Sequence, residues 1–159
     1  MSGLNHDFLV LSRSAFDYWD YLKLINRPEA VSLHNDLLEY LLDSLRWIPC
    51  HNPGHGKRKG LLPHNGLNFY GPTIIKSDGG HVFHRIFDAW GDLFSNGPSR
   101  LELLTKTSGW IEGESAESGA GHTIIADRDD VVKRLRQLAD FGKKVEESAG
   151  ELYILHLGI

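Results

Sequence analysis

The six residues Leu152–Leu157 put apolar side chains on both faces of a strand. Such a strand has no solvated side, so it is stable only inside a sheet that is covered above and below. A chain that contains it must also supply flanking strands and amphipathic helices. With 159 residues, 41% hydrophobic and 24% charged, the chain has the length and composition of one globular domain spanning 1–159. At that size roughly 70% of the unfolded chain's surface can be buried without disulfides or a structural metal. Cys50 is the single cysteine and has no internal partner, which fits a reducing compartment.

Asp7–Leu11 reads as a buried strand, and Ser14 with Asp17 as a capping pair that opens a helix over Ala15–Ile25. Asn26, Pro28 and Glu29 give a second start signal. From there Leu33, Leu37, Leu41, Leu45 and Ile48 recur at helical spacing up to Pro49. Pro49–Gly66 holds three prolines and four glycines and reads as a long loop. Leu67–Lys76 is an extended segment, with a bulge or edge position at Gly71-Pro72. After Ser77-Asp78-Gly79-Gly80, an amphipathic helix runs from Val82 to Phe94 and ends at Asn96-Gly97-Pro98. Leu101–Thr107 and His122–Ala126 form a long-looped hairpin around Glu112–Gly121. Asp127, with Asp130 three residues on, caps a last helix that Gly150 closes. The expected fold class is α+β (mixed α/β): one central mixed sheet of about five strands with about four helices, in the order β-α-α-β-α-β-β-α-β. Leu37, Leu41, Leu45, Phe87, Trp90 and Leu155 are expected to share one core.

The charge balance, 17 Lys and Arg against 21 Asp and Glu, gives −4 and no general attraction for nucleic acid or anionic lipid. The longest apolar runs, Phe8–Leu11 and Leu152–Leu155, fall far short of the ~18 residues of a membrane span. The N-terminal Met-Ser-Gly-Leu-Asn-His-Asp has no basic residue ahead of an apolar stretch, unlike a secretory signal. The expectation is a cytoplasmic protein that uses neither nucleic acid nor membrane.

Nine histidines invite a metal reading. Cys50, His51, His55 and His64 are ligand types that suit zinc, but their spacing lacks the paired pattern of tetrahedral sites, and Lys57, Arg58 and Lys59 would repel a cation. His81, His84 and Asp88 share one helical stripe with Asp92. That stripe lies opposite Phe83, Ile86, Phe87, Trp90 and Phe94 and is expected to face water. Cys50 beside His51 is no thiol–base pair, because adjacent residues on extended chain point apart. The glycine-rich stretches match neither a nucleophile elbow nor a phosphate loop, and no cofactor is expected. Glu112, Glu114 and Glu117, with Asp127, Asp129 and Asp130, are the candidate surface for a basic partner.

The segments Gly66-Leu67-Asn68-Phe69-Tyr70-Gly71-Pro72-Thr73-Ile74-Ile75, Trp90-Gly91-Asp92-Leu93-Phe94 and Ile154-Leu155-His156-Leu157-Gly158-Ile159 resemble small cytosolic bacterial proteins, some of them immunity proteins of polymorphic-toxin systems. The resemblance implies a one-domain protein that neutralises a basic toxin domain by occluding it, and it assigns no binding residue. The expected function is therefore a non-catalytic protein-binding module. The alternative is a zinc-type metal-dependent enzyme that uses the histidine-rich loop 49–66.

Overall fold

The computed structural model describes residues 4–12, 18–54, 56–58, 60–105 and 123–159. The elements in chain order are β1 (Asn5–Ser12), α1 (Tyr18–Leu22), β2 (Val31–His34), α2 (Asn35–Leu45), β3 (Pro49–Pro53), β4 (Leu61–Asn65), β5 (Pro72–Ile75), α3 (Ser77–Ser95), β6 (Arg100–Leu104), β7 (Thr123–Asp127), α4 (Arg128–Glu147) and β8 (Leu152–Leu157). The fold is α+β. Six strands form one sheet in the order β2-β1-β8-β5-β3-β4, and β6 with β7 makes a separate ribbon. Every ladder among the described residues is antiparallel, in place of the mixed sheet expected, because β8 runs opposite to both its neighbours β1 and β5.

The central placing of β8 is as expected, and its last five residues are buried. On one face of the sheet, α2, α3 and α4 close a core that contains Phe8, Leu38, Leu41, Leu45, Phe83, Phe87, Leu135 and Ile154. On the other face, Leu9, Ile74, Tyr153, Leu155 and Leu157 gather with Tyr21 of α1, backed by Leu24 and Ala30. Leu155 therefore points away from Leu37, Leu41, Leu45 and Phe87. Trp90 is only partly buried and donates its indole N–H to Ser44 Oγ at 2.9 Å.

Two expected elements give way to strand pairing. The helix expected from Asn26 starts only at Asn35, because Val31–His34 pairs with Phe8–Asn5 of β1 as an outer strand. Asn26 takes a left-handed φ of 61° and donates its N–H to the buried Asp7 carboxylate at 2.9 Å, which fixes a turn where a cap is expected. The loop expected over 49–66 is largely the hairpin of β3 and β4, with Cys50 opposite His64 and His51 opposite Pro63. Pro63 is tolerated because β4 is the outermost strand, where a missing N–H costs no ladder bond.

Gly79 and Gly80 lie inside α3 rather than ahead of it. Both are used for close approach: a Cβ on Gly79 would strike the Pro49 carbonyl, while Gly80 faces α4, where a Cβ on Gly142 would stand 2.6 Å from the His84 nitrogen and 2.8 Å from the Gly80 oxygen. The end caps of α4 are as expected, with Asp127 accepting the Asp130 N–H at 2.8 Å and Gly150 at φ 88° past the end. Gly142→Ala must push the two helices apart, and the expected cost is about 1–3 kcal/mol in urea denaturation. An unchanged midpoint would contradict this packing.

Candidate functional site

The histidines named as metal candidates separate into different roles. His51 of β3 and His64 of β4 do line one open pocket of about 560 Å³, together with Asp78 at the start of α3. His51 Nδ1 is buried there without a hydrogen-bond partner, and burial, with Lys76 nearby, lowers the proton affinity of the ring. Cys50 turns away: its thiol donates to the Gly66 carbonyl at 2.8 Å, and burial, with a contribution from Asp78, pushes its pKa up to about 11. This environment favours the thiol over the thiolate, the form that attacks and that binds metal. His55 lies outside the described residues.

The stripe on α3 does not simply face water, because α4 covers part of it. His81 Nδ1 stands 2.8 Å from Glu146, and His84 Nδ1 donates to the Ala139 carbonyl at 3.0 Å. Asp88 and Asp92 both hold Arg136, whose guanidinium lies against Gly91. These residues clasp α3 to α4. Among the described residues no three His, Cys, Asp or Glu side chains form a group that could hold a metal ion.

The sequence reading did not single out His6 of β1 and His156 of β8, and the structure brings them together. Both are fully buried on the three-helix side of the sheet, their rings nearly parallel and 5.1 Å apart, with Phe8 and Phe69 against them. Their hydrogen bonds have one consistent direction. The Glu39 carboxylate can only accept, so Asn35 Nδ2 donates to it at 2.8 Å and Asn35 Oδ1 accepts from His6 Nε2–H at 3.0 Å. His6 Nδ1 is then an acceptor and takes the proton of His156 Nε2–H at 2.8 Å. His156 Nδ1 accepts in turn from the Thr73 hydroxyl at 3.4 Å, and Thr73 Oγ accepts the Asn68 N–H at 2.8 Å. Both rings are thereby fixed as neutral Nε2–H tautomers. Burial lowers the pKa of His6 and holds His156 well below the usual histidine range, with His6 adding to the effect on His156. A histidine in an otherwise apolar strand was the available signal, since a buried ring nitrogen demands a partner.

At the edge of the sheet, β2, the N-terminal turns of α2 and α4, and the whole of β7 enclose a groove of about 540 Å³. Leu33, Leu37, Ile124, Ala126 and Val131 form its apolar floor, and the carboxylates Asp36, Asp127 and Asp130 and the guanidinium of Arg134 also line it. Arg134 binds Asp130 and donates to the Ser32 carbonyl at 2.9 Å. Ser32–His34 and all of Thr123–Asp127 line the groove as unbroken runs, so strand edges, not just single faces, border it. Among the described residues β2 pairs only with β1, and β7 only with β6. Asp129 points instead to Arg128. Glu112, Glu114 and Glu117 lie outside the described residues.

Comparison with family models, with curated proteins and with solved structures finds no match to this chain. No helix among the described residues is long and apolar enough to cross a membrane.

The buried pair makes stability fall in acid. Unfolded histidines bind protons near pH 6.5, whereas the folded pair resists them, so its contribution is complete above pH 6.5 and declines below it, by up to about 1.4 kcal/mol per pH unit for each imidazole. Urea midpoints measured between pH 8 and 5 should show this slope, and a flat profile would contradict it. At pH 8, Thr73→Val strands His156 Nδ1 and the Asn68 N–H, and the expected loss is about 1–3 kcal/mol.

Proposed function

We propose that the chain is a non-catalytic protein-binding module that receives a basic partner in the groove between β2 and β7. An immunity-type role, neutralising a toxin by covering its surface, is the form of this activity that the sequence resemblance favours. The observation that carries the reading is the groove itself: an apolar floor bordered by two strand edges and rimmed by three carboxylates and one guanidinium. The carboxylates also serve the fold, since Asp127 caps α4 and Asp36 and Asp130 sit in helix first turns, where the helix dipole favours them. Three carboxylates stand against one guanidinium on this rim, with Arg134 on Asp130 and His34 3.4 Å from Asp36, and an excess of carboxylate suits Lys- or Arg-bearing chain. Ile125, 51% exposed on β7, supplies an apolar contact beside it.

A photo-crosslinking residue at Ile125, set against a control at Leu93 on α3, tests this in cells of the source organism. A basic protein should be captured from position 125 and not from 93. Its affinity for the purified chain should fall about tenfold on Asp36→Asn with Asp127→Asn, a loss of about 1.4 kcal/mol, and should weaken as salt rises. Asparagine keeps the α4 cap, so these substitutions remove charge with little effect on the fold. Affinity indifferent to both charge removal and salt would defeat the groove as the partner site. The metal-enzyme alternative keeps its own marker: one equivalent of zinc in purified protein, lost on His51→Ala with His64→Ala.

A further inference from the structure

Which backbone groups open onto the groove follows from the two ladders that flank it. Along a strand the N–H and C=O of one residue point to the same side, and successive residues alternate between the two sides. The Asn35 N–H donates to the Leu4 carbonyl at 2.9 Å, so Leu33 and Val31 turn their backbone groups to β1, while Ser32 and His34 turn theirs outward. The bond from Arg134 to the Ser32 carbonyl agrees with this. Likewise the Arg128 N–H donates to the Ser99 carbonyl at 2.9 Å, so Ala126 and Ile124 face β6. Thr123, Ile125 and Asp127 therefore present their backbone groups at the other edge of β7.

The two edges are not equally available. On β2 the Ser32 carbonyl is taken by Arg134, and His34 is the N-cap of α2, whose carbonyl starts the helix ladder. That edge is left with the N–H groups of Ser32 and His34. On β7 the carbonyl of Asp127 is committed in the same way to α4, but Thr123 and Ile125 each keep an N–H and a C=O, and Asp127 keeps its N–H. Among the described residues none of these backbone groups of β7 has a hydrogen-bond partner.

We propose that the groove binds an extended basic segment of its partner by β-strand addition to the outer edge of β7. The proposal rests on the groove being the partner site, and it specifies the form of the segment. Ile124 and Ala126 pack against the main core and belong to the groove floor, whereas Thr123, Ile125 and Asp127 stand on the exposed face of β7. A strand paired with β7 shares this alternation. Its residues level with Ile124 and Ala126 lie on the floor side, with Leu33, Leu37 and Val131, and are apolar. Its residues level with Thr123, Ile125 and Asp127 share the face of the Asp127 carboxylate, where an opposite charge across the strands is favoured. The segment therefore alternates apolar residues with Lys or Arg over the five-residue length of β7. An acidic segment would meet Asp36, Asp127 and Asp130 with like charge.

The probe is the peptide acetyl-Lys-Val-Lys-Val-Lys-Val-Lys-amide, added at about 1 mM to the full-length chain, with amide hydrogen exchange read by NMR. On binding, the N–H groups of Thr123, Ile125 and Asp127 should exchange at least about tenfold more slowly, while those of Ser32 and His34 are unchanged. The same peptide with Glu at every Lys should bind at least about tenfold more weakly. Ile125→Pro removes one outward N–H and leaves the β6 ladder intact, and it should weaken binding at least about tenfold more than Ile125→Ala, which keeps that N–H. If the proline variant does not fold, the exchange rates of the wild-type chain decide alone. A peptide that binds without slowing these three amides would overturn strand addition and leave the groove as a site for side-chain docking. No binding at this concentration, slowing on β2 instead, or equal binding of the Glu peptide would overturn the proposal as well. So would slowing that appears without peptide and grows with protein concentration, because a second copy would then cover β7. Failure of the crosslinking experiment would leave these rates unaltered, so the two readings fall separately.

Discussion

β8 has no face left for water, and a different part of the chain covers each side. On one side α2, α3 and α4 bring Phe83, Phe87, Leu38 and Leu135 onto Phe8 and Ile154, a broad apolar contact of the kind that dominates folding free energy. On the other side, among the described side chains, Tyr21 of α1 and Leu24 and Ala30 after it lie on Leu155 and its neighbours. The chain here is also pinned by the buried carboxylate of Asp7, which accepts from the Asn26 N–H and the Ser32 hydroxyl. A carboxylate taken out of water is tolerable only with such donors. These contacts hold the left-handed turn at Asn26, beyond the end of α1, and tie Ser32 of β2 to β1.

The same condition acts at the one polar side chain of β8 that the helices cover. His156 cannot reach water, so each ring nitrogen must be matched, and matching it engages β1 through His6, β5 through Thr73 and α2 through Asn35. Three elements of different parts of the chain are thereby held to one register by donors and acceptors that all run the same way. Hydrophobic contacts would tolerate a small shift of any of them, whereas a directional chain does not.

How far the sequence revealed these features depends on the range of the interaction behind each. Local signals were readable: the Asp127 cap, the hairpin that became β6 and β7, and the two-sided burial of Leu152–Leu157. The helix read from Asn26 failed because Val31 and Leu33 fit a strand's period of two as well as a helical face, and β1, distant in sequence, decided between them. Pro49, Pro53 and Pro63 read as loop residues, yet all three lie in a hairpin at the edge of the sheet. Gly79-Gly80 read as a break because what they accommodate is distant in sequence: the Pro49 carbonyl for Gly79, and for Gly80 the α4 backbone at Gly142, more than sixty residues away. His6 and His156 stand at opposite ends of the chain, so no spacing could join them. For the site, Asp127 and Asp130 were named from the sequence, whereas the groove they border depends on β2 and β7 meeting in space.

The outer strands are not guarded equally, and the difference bears on where a partner would dock. Exposed strand edges invite pairing with other chains, and folds blunt them with proline, charge or shortness. β4 carries Pro63 at its centre. β2 is four residues long, and Arg134 occupies its Ser32 carbonyl. β6 sets Arg100 and Glu102 on its exposed side. β7, Thr-Ile-Ile-Ala-Asp, has no proline and no charge before its last residue, and Ile125 is exposed. Among the described residues β7 is thus the least guarded outer strand, and it is the one that borders the apolar floor of the groove. A partner seated there would meet the acidic rim of the groove as it pairs with the strand.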